Sequence, residues 1–145
     1  MLDRLMDMAV EGEWRPLISN SFTTMVGPFY VRRDGERLRY RVLLEPRHDN
    51  SLARPHGGMV MAFTDDVFGW YIQMTRKEGM VTVSFDCQFI GGANIGSYLE
   101  VEPEEVQRTR SFSFMRGTCM SEGKIIARCS GVWKKFTPKA EKAEQ

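Results

Sequence analysis

The sequence has little net charge, few cysteines and no long hydrophobic run, and each of these absences excludes a class of protein. Its 145 residues carry 20 Lys and Arg against 19 Asp and Glu, so there is no global field to hold nucleic acid or an anionic membrane. The three cysteines, Cys87, Cys119 and Cys129, are odd in number and far apart, which predicts reduced core thiols rather than a metal site. No apolar stretch is long enough to span a bilayer or to form a signal peptide. We therefore expect a soluble, cytoplasmic protein with no nucleic-acid or membrane partner.

The chain has the length of one domain and contains no internal repeat and no low-complexity linker. Apolar residues at helical spacing predict a short amphipathic helix over residues 2–11, with Gly12 as its stop. Residues 137–145 are charged and are expected to form a disordered tail. Residues 1–136 are therefore predicted to be a single domain that begins with this helix.

One long helix and about six strands are predicted within that domain. The segment from Gly57 to about Lys77 has no proline and is apolar almost all round, which is typical of a buried helix. A hairpin around Asp34-Gly35 is predicted within a β-rich region over residues 22–44. Four further strand-like runs cover residues 81–90, 98–106, 112–120 and 124–136. Short connections between strands favour an α+β fold in which an antiparallel sheet curls around the helix.

The long helix combines two glycines at its start with two carboxylates in its middle. His56-Gly57-Gly58 stands where unpaired N–H groups point at a ligand, and glycine lets the backbone approach that ligand closely. Asp65 and Asp66 follow in an apolar context, where acids cost free energy unless something uses or pairs them. The combination predicts a functional site.

A family resemblance rests on this segment and on three later motifs: Val81-Thr82-Val83-Ser84-Phe85, Ala93-Asn94-Ile95-Gly96 and Gly123-Lys124-Ile125-Ile126-Ala127. From about Asn50 to Phe136 the chain resembles the hotdog-fold acyl-CoA thioesterases of the phenylacetate-pathway and thioesterase-superfamily-member-2 type. The resemblance implies a hotdog fold, in which a curved antiparallel sheet wraps a long central helix. It also implies homodimers paired edge to edge, often assembled into homotetramers, that hydrolyse acyl-CoA thioesters. No metal is needed, and no cofactor is expected beyond the CoA of the substrate.

Carried over by position, the resemblance gives a role to five residues. The Gly57 N–H would polarise the thioester carbonyl, and Asp65 would act as the general base or the nucleophile. Asn50 would lie near the scissile thioester, His56 beside the leaving sulfur, and the Thr82 hydroxyl where it positions water.

Three further residues are candidates for contacts with CoA. The N–H of Gly58 lies at the same positive helix end as that of Gly57, and Arg108 and Arg110 carry guanidinium forks that suit phosphate. Two departures from the family pattern stand out: Asp66 has no counterpart, and the loop at residues 51–55 lacks the glycine that many relatives carry there.

Helix geometry adds a constraint of its own. Gly57 and Asp65 are eight residues apart, about 12 Å of helix rise, which is beyond the reach of one aspartate side chain. If both act on one carbonyl, they come from two subunits of a two-fold dimer. We therefore predict an obligate homodimer with two composite sites, each taking Asn50, His56 and Gly57 from one chain and Asp65 and Thr82 from the other.

Other interpretations stay open at this point. The chain could be a hotdog module that binds acyl-CoA without hydrolysing it, or a hotdog hydratase or dehydratase in which His56 and Asp65 shuttle protons across the dimer. The His-Gly-Gly segment could be only an entry turn, and either aspartate could pair with an arginine at an interface. Arg108 and Arg110 could belong to a solvated turn.

Overall fold

We describe a computed structural model of the chain over residues 7–19 and 21–137. In chain order its elements are β1 (Arg15–Pro16), α1 (Phe22–Val26), β2 (Phe29–Asp34), β3 (Arg37–Leu43), a 3-10 turn (Pro46–His48), α2 (Gly57–Arg76), β4 (Met80–Phe89), β5 (Tyr98–Val101), β6 (Glu104–Arg108), β7 (Phe112–Ser121) and β8 (Lys124–Lys135). None of the helices in the described residues has both the length and the apolar composition of a membrane span.

The strands form one antiparallel sheet in the order β1-β2-β3-β5-β7-β8-β4, and β6 pairs with β7 beside this path. The predicted α+β hotdog architecture is confirmed, with eight strands in place of about six. One extra strand is the two-residue β1. The other arises because Pro103 divides the predicted strand 98–106 into β5 and β6, since proline cannot donate a hydrogen bond to the sheet.

The predicted hairpin and the predicted long helix are both confirmed. Strands β2 and β3 pair from Phe29↔Val42 to Asp34↔Arg37, and Gly35 takes a positive φ of 64° in the turn between them. Helix α2 ends at Arg76, and Lys77 follows in the left-handed conformation. The boundaries of α2 therefore lie within one residue of the prediction.

Helix α2 packs against the sheet and forms the centre of the core. It contacts β3, β4 and β8, although β3 and β4 lie far apart in the strand order, so the sheet curves around the helix. On α2, Phe63 packs edge-on against Phe29, with ring centres 5.1 Å apart. Phe68 packs on Trp133 at 5.9 Å. All four rings are buried, which fixes the rotation of α2 about its axis.

Two predictions near the N-terminus differ from the structure. Of the helix predicted over residues 2–11, positions 1–6 lie outside the described residues. Val10 and Glu11 form β-bridges with Glu13 and Arg33, so the helix does not reach residue 11. Residues 22–26, predicted as β-rich, form α1 because tertiary contacts with α2 hold this segment. The predicted tail also lies outside the described residues, except for Thr137.

Strand β4 is the last strand of the sheet order, and within the described residues it pairs only with β8. The free strand β4 carries several large apolar side chains that are exposed. Val81, Val83 and Phe89, together with the following Ile90, are 45–54% exposed. Natural proteins usually pair or cover an edge of this kind.

Candidate active site

The start of α2 leaves one backbone donor available. The His56 ring caps the helix, because its Nδ1 accepts the Gly58 N–H at 2.8 Å. The His56 carbonyl accepts the N–H groups of Met59 and Val60 at 2.9 and 3.1 Å. Among the described residues, the Gly57 N–H has no hydrogen-bond partner. Of the two glycines, Gly57 is therefore the one whose N–H can bind a ligand, whereas the Gly58 donor is occupied by His56.

Gly57 lies against the far end of β4. A Cβ atom added at Gly57 would lie 3.1 Å from Cζ of Phe89, closer than side chains normally pack. A larger residue here would displace the Phe89 ring, so close packing favours glycine at this position. The free N–H is thus placed where β4 ends.

The loop before α2 positions Asn50 through its own hydrogen bonds. Asn50 Oδ1 accepts the Leu52 N–H at 2.8 Å, and the Asn50 N–H donates to the Arg54 carbonyl at 2.8 Å. Ser51 and Ala53 take positive φ values of 72° and 60°, a conformation that glycine adopts without strain. The exposed Asn50 side chain is therefore held in a turn, and its amide oxygen is already engaged.

Asp65 and Thr82 lie together near the start of β4. The Thr82 hydroxyl donates to Asp65 Oδ1 at 2.7 Å, an ordinary length for an O–H···O hydrogen bond. The strand register is irregular between Thr82 and Ser84. The Thr82 hydroxyl, to which the resemblance assigns the positioning of water, is directed at the Asp65 carboxylate here, and Oδ2 has no protein partner among the described residues.

Asp66 has a different environment from its neighbour. Its Oδ2 accepts the Thr23 hydroxyl at 2.7 Å, which joins α1 to α2. Burial raises the pKa of the Asp66 carboxyl, the Asp65 charge adds to this, and the hydrogen bonds from Thr23 and Trp70 oppose it. Asp66 thus anchors α1. No sequence pattern pointed to Thr23 as the partner of Asp66, because the two residues are 43 positions apart.

A cavity of about 290 Å³ opens beside the two carboxylates. Its walls combine hydroxyl, carboxylate and amide groups with two indole rings and a methionine: Ser19, Ser21, Thr23, Asp65, Asp66, Gly69, Trp70, Gln73, Met80, Thr82 and Trp133. The cavity can admit a small group beside Asp65. Within the described residues, no cluster of three or more His, Cys, Asp or Glu side chains is placed to hold a metal ion.

The two candidate phosphate ligands lie near the opposite end of α2. Arg108 donates to Glu105 at 2.6 Å and to the Thr75 hydroxyl at 3.2 Å. The Arg76 side chain, only 5% exposed, donates to the Arg110 carbonyl at 2.9 Å and so shapes the turn. The exposed Arg110 guanidinium has no ion-pair partner in the described part of the chain. Arg110 is therefore freer than Arg108 to meet a phosphate.

The predicted site residues fall into two groups in one chain. Asn50, His56 and Gly57 lie at the entry to α2. Asp65 lies two turns further along α2, where Thr82 of β4 contacts it. Eight residues of helix, about 12 Å, separate Gly57 from Asp65. One chain therefore holds two half-sites that do not meet.

Comparisons with known proteins agree with this architecture. A family model described as Thioesterase superfamily matches residues 55–126. The chain is 28% identical over 130 residues to the candidate esterase PA0474 of Pseudomonas aeruginosa, covering 87% of this chain and 97% of that protein.

Solved structures share the fold at lower identity. Thioesterase superfamily member 2 from Mus musculus matches with a TM-score of 0.71 and 20% identity, covering 80% of this chain and 87% of that one. A hypothetical thioesterase from Streptococcus pneumoniae TIGR4, solved with coenzyme A, matches with a TM-score of 0.68 and 15% identity, covering 77% and 88%.

Proposed function

We propose that this chain, whose residues 55–126 match the Thioesterase superfamily model, hydrolyses acyl-CoA thioesters to the free acid and CoA. One observation carries the proposal: an unpaired N–H at Gly57 and an oriented carboxylate at Asp65 lie toward opposite ends of the same free strand edge. Thioester hydrolysis needs a polarised carbonyl and either a nucleophile or a base. The thiolate leaves readily, because a thiol pKa is only about 8.5.

The Gly57 N–H is the proposed electrophilic group. It sits at the positive end of a 20-residue helix, where the helix dipole and the fixed N–H direction favour developing negative charge. The hydrogen bond from Gly58 to His56 Nδ1 keeps the cap rigid. The carbonyl oxygen of the thioester would accept the Gly57 N–H and gain charge there in the transition state.

The Asp65 carboxylate is the proposed base or nucleophile. Thr82 fixes Oδ1, which leaves Oδ2 to attack the thioester carbon or to take a proton from water. If Asp65 acts as the base, the water oxygen bonds to the carbonyl carbon, the C–S bond breaks, and the proton taken by Asp65 passes to the departing CoA thiolate. If Oδ2 acts as the nucleophile, it bonds to the carbonyl carbon, the C–S bond breaks, and water then hydrolyses the acyl anhydride on Asp65 to the free acid. His56 would border the leaving sulfur, and Asn50 the thioester.

We propose that pairing of two β4 edges completes each site. In an antiparallel two-fold pairing, the first half of one β4 lies opposite the second half of the other. Thr82 is near the start of β4, and Phe89, which contacts the Gly57 position, is its last residue. Asp65 and Thr82 of one protomer would therefore face Gly57 of its partner. The exposed apolar residues of the edge support this pairing.

The CoA nucleotide would lie toward the turn that carries Arg110. Thr75, which contacts Arg108, is ten residues beyond Asp65, about 15 Å along the helix, whereas Gly57 of the same chain is about 27 Å away. We therefore assign the nucleotide to the chain that supplies Asp65. Arg110 would be the main phosphate contact, because Glu105 already pairs with Arg108.

Thiol release from aromatic and aliphatic acyl-CoA panels tests the proposed function. Asp65→Asn should lower kcat by about 10²- to 10⁴-fold, the usual contribution of a positioned acid or base. Asp66→Asn is the matched control, because it makes the same change one position away on a side chain that anchors α1. Its kcat should stay within a few-fold of wild type.

Two results would contradict the proposal. One is full activity in Asp65→Asn. The other is tight acyl-CoA binding with no thiol release across both panels, which would favour the binding-module alternative.

A further inference from the structure

Three cysteine thiols that the proposed reaction does not use meet on the inner side of the sheet. Cys87 on β4 and Cys129 on β8 are directly paired in the antiparallel register. Their Sγ atoms lie 3.1 Å apart. Cys119 on β7 pairs with Ala127, whereas Cys129 pairs with Gly117, so Cys119 is only a diagonal neighbour of Cys129.

The facing pair is close to the geometry of a disulfide. Directly opposed residues on antiparallel strands have Cβ atoms about 4.5–5.5 Å apart, and a disulfide needs about 3.5–4.5 Å. The S–S bond is about 2.05 Å long, so the two sulfurs need to approach by about 1 Å. Side-chain rotation and a small local shift of the backbone at Cys87 can supply this movement.

Exposure and charge separate the roles of the two sulfurs. Cys129 is 4% exposed, whereas Cys87 is half-buried in the single protomer. The neighbouring Cys119 and Cys87 thiols lower the pKa of the Cys129 thiol, whereas burial raises the pKa of the Cys87 thiol. Disulfides form when a nucleophilic sulfur lies against a second sulfur, and the 3.1 Å separation places these two sulfurs in that position.

We propose that Cys87 and Cys129 are an oxidative modification site that forms an intramolecular disulfide when the protein meets a peroxide. One sulfur attacks an oxygen of hydrogen peroxide, the O–O bond breaks, and a sulfenic acid and water result. The other sulfur attacks that sulfenic sulfur, the S–S bond forms, and a second water leaves. Two thiols and one peroxide thus give one disulfide and two waters, with sulfur oxidised and peroxide reduced.

The disulfide would cross-link β4 to β8 beside the turn of α2 that carries Thr64. It closes the chain between positions 87 and 129, which include β5, β6 and β7. A cross-link over such a loop restricts the unfolded chain. For a chain of this size we expect the thermal midpoint to rise by about 5–15 °C, and dithiothreitol should reverse the rise.

Peroxide treatment of the full-length protein tests this proposal, and the test does not depend on the proposed catalytic function. Intact mass after alkylation, peptide mapping and thermal unfolding are measured before and after hydrogen peroxide. We expect the loss of two hydrogens, a mapped 87–129 cross-link and the reversible rise in midpoint. Cys87→Ser and Cys129→Ser should abolish all three changes, and Cys119→Ser should keep them.

Three outcomes would overturn the proposal: a disulfide that includes Cys119, a covalent dimer linked through Cys87, or sulfinic and sulfonic acids at Cys87 with Cys129 still a free thiol. Mapping on the wild-type protein distinguishes these outcomes even if Cys129→Ser, at a buried position, fails to fold.

Discussion

Replacing Thr82 with valine should lower kcat by weakening the orientation of Asp65. Valine keeps the shape of the side chain and removes the hydroxyl that donates to Asp65 Oδ1 at 2.7 Å. A hydrogen bond to a charged group contributes about 1.5–3 kcal/mol. Because the Thr82 side chain is exposed, we take the lower end, about 1.5 kcal/mol, which corresponds to a loss of about tenfold in kcat. Thr82→Ser keeps the hydroxyl and should stay near wild type.

A double-mutant cycle with Asp65→Asn shows whether Thr82 acts through the carboxylate. Initial rates of thiol release at saturating acyl-CoA give kcat for wild type, both single variants and the double variant. If Thr82 only orients Asp65, Thr82→Val should cost almost nothing once Asp65 is asparagine, so the two effects are not additive. The same tenfold loss in both backgrounds would refute this reasoning and would point to a direct role of Thr82, such as binding water.

Three further predictions concern Asp66, Ala53 and Val83. The raised pKa means that the folded state holds the Asp66 proton more tightly, so ionisation of Asp66 lowers the stability of the wild type as the pH rises above the ordinary 3.8 toward the folded value. Urea unfolding at a series of pH values should therefore show Asp66→Asn gaining stability relative to wild type over that window. A difference in unfolding free energy between the two proteins that does not change with pH would contradict this. Ala53→Gly should raise the free energy of unfolding by up to about 1 kcal/mol, because the relief of about 1–2 kcal/mol of left-handed strain exceeds the about 0.4–1 kcal/mol by which glycine favours the unfolded chain. The control Ala62→Gly, inside α2, should instead lower the free energy of unfolding by about 1 kcal/mol. Equal losses of stability in the two variants would be inconsistent with strain at Ala53. Val83→Lys on the β4 edge should yield monomers in sedimentation and abolish thiol release, whereas Val106→Lys, at a position 51% exposed on β6, should do neither; a Val83→Lys dimer would count against the proposed interface.

The sequence predicted the elements whose signals are local. Helix α2 has no proline, is apolar almost all round and begins after His56-Gly57-Gly58, so its limits could be predicted closely. Helix α1 could not, because it depends on distant partners. Thr23 donates to Asp66, and His48 Nε2 lies 2.7 Å from the Val26 carbonyl. The division of strand 98–106 did have a local signal, Pro103, which the prediction did not use.

The candidate site was predictable only in part, for similar reasons. Helix rise alone shows that Gly57 and Asp65 cannot share one carbonyl within a chain. The link between Asp65 and Thr82 spans 17 positions, and only the family resemblance suggested it. The occupation of the Gly58 N–H by His56 depends on the orientation of one ring. No residue pattern encodes that orientation.

Complementation between two inactive variants tests the composite site most directly. Asp65→Asn removes the carboxylate, and Gly57→Val places a side chain against Phe89 where an added Cβ already lies at 3.1 Å. Each variant alone should be inactive. The two are mixed in equal amounts, unfolded and refolded together, and assayed for thiol release. In a mixed dimer, one site takes Gly57 and Asp65 from the two unaltered positions, so random pairing should restore about a quarter of wild-type activity. Activity that stays at the level of the separate variants, although mixed dimers are present, would contradict a site shared between subunits.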